Sequence, residues 1–117
     1  MMHYLVVLVL SRPEMLHSVL QAWQQAGAPG ATVLESTGLG RVSHLLGRDD
    51  MPLFPSLRAL GEKQEYTHNT IFSIVDGDEM VDKLIAATEG VVGDLSQPNQ
   101  GILFVVPVAR VIGYRVP

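Results

Sequence analysis
The chain has 117 residues, of which 47% are hydrophobic and 17% charged, a composition that fits one packed domain and excludes a disordered tail. The formal net charge of −4 argues against a nucleic-acid binder that works by neutralising phosphates. The chain has no cysteine, which excludes disulfides, thiolate metal sites and cysteine nucleophiles.

So little charge on so small a chain implies that some apolar surface is covered by another subunit. The longest apolar runs, Tyr4–Leu10 and Ile102–Ala109, fall far short of the ~20 residues that cross a bilayer. The first also lacks the basic flank of a secretory signal. A cytoplasmic protein is expected.

Tyr4–Leu10 is apolar and β-branched without alternation, the pattern of a central strand covered on both faces. Ser11-Arg-Pro-Glu14 has the form of a capping box with proline in the first turn. Met15, Leu16, Val19, Leu20 and Trp23 then follow at helical spacing, with Gly27 as the stop. Ala31–Thr37 predicts a second strand, ended by Gly38 and Gly40.

Residues 42–66 form a long connection of irregular composition, a length that in compact domains points to function. It is unexpectedly apolar. Phe54, Leu57 and Leu60 recur at near-helical spacing, and Pro55 as a start and Gly61 as a stop predict a short helix over Pro55–Leu60. A third strand runs from Tyr66 or Thr67 through Val75. Asp76-Gly-Asp-Glu79 repeats the capping logic before a second helix, with Val81, Leu84, Ile85 and Thr88 on one face and Gly90 as its stop. Ile102–Val108 predicts a fourth strand and Arg110–Arg115 a short terminal one.

The order β-α-β-loop-β-α-β-β, with right-handed crossovers, predicts an α+β ferredoxin-like βαββαβ sandwich filling residues 1–117 as a single domain. The first and third strands lie in its middle and the fourth at an edge. Ile102–Val106 is nevertheless as apolar as a central strand, so that edge must be covered. Neighbouring subunits are the simplest cover.

Thr32-Val-Leu-Glu-Ser-Thr-Gly-Leu-Gly-Arg41 resembles the strand and following loop of the PII signal-transduction family, with its Thr-Val-x-Glu-x-x-Gly-x-Gly-Arg pattern. Asp78–Ile85 is similar to the second helix of that family. Gly93-Asp94 followed by Gly101–Val108 resembles its Gly-Asp-Gly-Lys-Ile-Phe-Val-x-Pro-Val segment.

The resemblance implies a homotrimer that binds a nucleotide or other small anion in clefts between subunits. It also implies regulation of a partner protein through the long loop, in nitrogen signalling, and no catalysis. Matching positions for the ligand site are Thr32, Gly38, Gly40, Arg41, Gly93, Asp94 and Arg115. Glycines let backbone N–H groups form an anion-binding concavity, and arginines pair bidentately with phosphate. The partner-binding element would be loop 42–66, through Met51, Phe54, Leu57 and Leu60.

Several positions depart from the family pattern. Val42 replaces a glutamine, Asn69 stands near a basic position, Leu95–Gln100 interrupts the segment that carries a lysine, and Gly113 replaces an arginine. These losses predict weak ATP binding and a less highly charged effector.

His44, Asp49, Asp50 and His68 do not fall on one helical turn or strand face, so they predict a solvated loop rather than a metal site. No serine sits in a nucleophile elbow. The alternative reading is a small ferredoxin-like enzyme of the oxygenase or isomerase type, with a pocket inside each subunit.

Overall fold
The structure, a computed structural model, describes residues 2–37 and 67–114. Strand β1 (His3–Leu10) leads through a 3₁₀ turn (Pro13–Met15) into helix α1 (Leu16–Ala26) and strand β2 (Thr32–Thr37). Strand β3 (Thr67–Asp76), helix α2 (Asp78–Val92) and strand β4 (Ile102–Val108) follow. The sheet order is β2-β3-β1-β4 with antiparallel pairing throughout. This is the expected ferredoxin-like fold, with the first and third strands central and the fourth at an edge.

The register explains why β1 shows no alternation. Val6, Leu8 and Leu10 face the helices with Ile71 and Val75 of β3, and pack on Val19, Trp23, Val81, Leu84 and Val92. Each such side chain contributes about 1.5–3 kcal/mol on full burial. The Trp23 indole N–H donates to Thr88 Oγ1 at 2.8 Å, and the Thr88 hydroxyl donates to Leu84 O at 2.7 Å. Those two bonds satisfy the most buried polar groups between the helices.

His3, Leu5, Val7 and Val9 share the opposite face with Leu34, Phe72, Ile74, Ile102, Phe104 and Val106. Among the described residues no helix covers that face. Leu34 is 53% exposed, Ile102 58%, Phe104 44% and Val106 41%.

The element boundaries correct four expectations. The capping box at Ser11–Glu14 does not form: Arg12 precedes the 3₁₀ turn, Met15 precedes α1, and neither makes a side-chain cap. Arg12 is instead engaged across the fold, as described below. At α2 the cap position is Gly77 rather than Asp76. Its φ of 89° suits glycine alone, and its N–H donates to Met2 O.

Gly90 does not stop α2, because it lies on the exposed side of the helix with nothing near its Cα hydrogens. The helix ends at Val92, where Gly93 turns to φ 94°. Residues 109–114 form bends rather than the expected terminal strand. β4 is an edge strand, and among the described residues no further strand lies alongside this segment. The helix expected over Pro55–Leu60 lies outside the described residues.

Candidate anion site at one end of the sheet
The register places the connection after β2 and the connection before β4 at the same end of the sheet. Thr37 pairs with Thr67, Leu10 with Asn69, and Val9 with Ile102. Two strands separate β2 from β4, so these connections leave from opposite edges, about 14 Å apart at normal strand spacing.

The segment from Gly93 to Gly101 is built by local hydrogen bonds. Gly93 N–H donates to Glu89 O at 3.0 Å and closes the helix. The Asp94 carboxylate accepts from Ser96 N–H at 2.9 Å and from the Ser96 hydroxyl at 2.7 Å. Glu89 Oε2 accepts from Leu95 N–H at 3.0 Å, and Gln97 N–H donates to Asp94 O at 3.1 Å.

The bonds from the Ser96 hydroxyl and amide hold the Asp94 carboxyl below its usual range. Asn99 and Gly101 both take positive φ, and a Cβ on Gly101 would collide with the Val9 carbonyl. Only glycine lets the chain return to β4 here.

Sequence reasoning missed the side chain that ties this segment to the body. Arg12 donates from Nη2 to Val92 O at 2.7 Å and to Gln100 Oε1 at 2.8 Å. Val92 supplies one of the carbonyls left without a partner at the C-terminus of α2, the helix end that favours a cation. Nε of Arg12 is buried and bonds to no described protein atom. Gln100 in turn lies against Gly93, where a Cβ would stand 2.9 Å from its Nε2. One signal was available: Arg12 is the first arginine of the chain and sits where a strand becomes a helix.

The other predicted positions fall elsewhere. Thr32 begins β2 opposite Phe72, five residues and about 17 Å along the strand from Thr37. With Phe72, Ile74 and the segment Val111–Tyr114 it lines a cavity of about 390 Å³ that has no charged residue in its wall among the described residues. A second cavity of about 380 Å³, lined by Trp23, Leu20 and Gly27–Ala31, is likewise uncharged.

Tyr114 packs edge-on against His3 with ring centroids 4.8 Å apart. The residue before Arg115 therefore sits at the far end of the sheet from Gly93. Burial raises the pKa of Tyr114, and the Asp76 carboxylate adds to the rise.

Gly38, Gly40, Arg41 and Arg115 lie outside the described residues, as do Met51, Phe54, Leu57, Leu60, His44, Asp49 and Asp50. Within one chain the described positions do not converge. Gly93 and Asp94 adjoin each other, while Thr32 is remote. Among the described residues no three His, Asp or Glu side chains cluster to hold a metal, and no helix is long and apolar enough to cross a membrane.

Known proteins share this architecture. GlnK of B. subtilis in complex with ATP superposes with a TM-score of 0.57 at 17% identity, over 92% of this chain and 83% of that one. A second B. subtilis GlnK structure gives 0.57 at 17% identity, over 93% and 87%. Arabidopsis thaliana PII bound to citrate gives 0.61 at 20% identity, over 92% and 78%. At these identities the likeness establishes the fold. No curated protein sequence matches the chain. The family model for nitrogen regulatory protein P-II matches residues 4–116. The chain therefore belongs to the nitrogen regulatory protein P-II family, whose members are regulatory proteins rather than enzymes.

Proposed function
We propose that the protein is a homotrimeric sensor that binds a small anionic effector between subunits and regulates a partner protein through loop 42–66. The observation that carries this reading is the family match over residues 4–116. The arrangement of the sheet supports it. Gly38, Gly40 and Arg41 follow one edge strand, and Gly93 and Asp94 precede the other. Residues on opposite edges meet across a boundary between copies, where the β2 edge of one subunit approaches the β4 edge of the next. Thr32 and Arg115 complete the site in this reading. The apolar face of the sheet is the surface the copies bury.

The relatives bound to ATP and to citrate indicate an anionic ligand for this chain too. The loop chemistry favours a ligand less highly charged than ATP. Residues 93–101 contain no cation and one carboxylate. The N–H groups of Leu95, Ser96 and Gln97 are already committed to Glu89, Asp94 and the backbone. Three cationic contacts of the family pattern are missing, each worth roughly 1.5–3 kcal/mol as a charge-assisted hydrogen bond, so triphosphate affinity falls on the order of 10³-fold.

A thermal-shift screen with ATP, ADP, cyclic dinucleotides, bicarbonate, citrate and 2-oxo acids tests this. The reading expects stabilisation by at least one of these anions and little by ATP. Tight, magnesium-dependent ATP binding contradicts the charge argument. Silence from every anion contradicts the sensor reading itself.

A further inference from the structure
Arg12, Lys83 and Arg110 are the cations among the described residues. Lys83 pairs with Glu79 on the exposed side of α2, and Arg110 is exposed beyond β4. Arg12 alone of the three reaches the segment that joins α2 to β4, and it does so from a different part of the fold, the turn between β1 and α1. Its Nη2 bonds both to the last residue of α2 and to the penultimate residue of the connection. The two bonds therefore set the distance between the ends of a nine-residue span, Val92 to Gln100.

Inside that span the chain passes through Gly93 and Asn99 at positive φ, and the remaining hydrogen bonds are local. Those bonds hold the turn and tether it to α2 through Glu89, and Leu95 rests on the core, whereas the bonds of Arg12 come from another part of the fold. We propose that Arg12 is the positioning residue of this connection. By joining Val92 O to Gln100 Oε1 it fixes the conformation in which Gly93–Asp94 takes an anion, without itself touching the ligand. The inference deepens the anion-site reading and rests on it for its functional half, whereas its structural half stands alone.

The substitutions R12M and R12K separate the roles. Methionine keeps the length of the stem and removes every donor. Lysine keeps a cation with several N–H groups and can still bridge two acceptors that Arg12 serves from a single nitrogen. Hydrogen exchange on the full-length protein should show amides of residues 93–101 exchanging at least about tenfold faster in R12M, with the sheet amides unchanged. R12K should recover most of the protection, and Q100A should reproduce the R12M effect from the other side of the tie. Citrate, or whichever anion of the thermal-shift screen binds wild type most tightly, should bind at least about tenfold more weakly to R12M than to wild type.

Unchanged exchange of 93–101 in both R12M and Q100A overturns the inference, and so does equal loss in R12M and R12K. If R12M does not fold, Q100A against wild type decides by the same measurement. If wild type binds none of the anions of the thermal-shift screen, the anion-site reading fails, while the exchange data still decide whether Arg12 positions the connection.

Discussion
Thr88 shows how one buried hydroxyl serves two elements. It accepts from the Trp23 indole and donates to Leu84 O, and both side chains are almost wholly buried. Replacing it with valine keeps the shape and strands the indole N–H, which costs about 1–3 kcal/mol. Urea unfolding of Thr88→Val should show that loss, and Thr88→Ser should lose less.

Gly101 makes the contrasting case, because its constraint is backbone. A Cβ there meets the Val9 carbonyl at a φ of 107°, so Gly101→Ala should cost about 2–3 kcal/mol. Gly30→Ala, with nothing near the new methyl, should be almost neutral in the same assay.

Asp94 is legible in pH. The unfolded carboxyl titrates near the ordinary value while the folded one lies lower. The Asp94–Ser96 turn is therefore favoured at neutral pH and loses that support as pH falls below the ordinary carboxylate range. A carboxyl NMR titration should place Asp94 below the ordinary carboxylate range. None of this was visible in the sequence, since Thr88, Gly101 and Arg12 act on partners 65, 92 and 88 residues away.

At the scale of elements, periodicity served well, and punctuation held at Gly27, which caps α1 at φ 106°, but not at the other helix ends. The spacing of Val19 and Trp23, and of Val81, Leu84 and Thr88, marks the faces that α1 and α2 bury. A helical face is a local property that burial enforces. Helix ends were misjudged where tertiary bonds outbid local ones. Arg12 turns to the 93–101 connection and Gly77 donates to Met2, so neither predicted side-chain cap forms.

β4 carries the strongest element-level prediction. Its outward residues Ile102, Phe104 and Val106 leave the helical core untouched. A charge at Phe104 should therefore abolish assembly and spare the fold. Phe104→Asp should sediment as a folded monomer with a native far-ultraviolet spectrum. The 42–66 connection offers a second test. The sheet register and helical core described above close without it. Deleting Met51–Gly61 should leave assembly intact and remove coupling to a partner. A deletion that unfolds the protein makes the segment core structure instead.

At the scale of the molecule, the fold and family were legible because both depend on the order of elements and on motifs at fixed places. Thr32–Arg41 and Gly93–Val108 carry that information in the sequence itself. The site was less legible. Its described residues, Thr32 on β2 and Gly93–Asp94 before β4, lie on opposite edges and at opposite ends of one sheet, so in the proposed reading they meet only through neighbouring copies. The whole account therefore turns on assembly.

An exposed apolar face built from Leu34, Phe104 and Val106 demands a cover, and the proposed trimer would supply both the cover and the clefts. Static light scattering on the purified protein at micromolar concentration measures this directly. The account predicts a mass three times the 12.7 kDa of the chain, unchanged on dilution. A mass of one chain would leave the face uncovered and the predicted residues apart, and would contradict it.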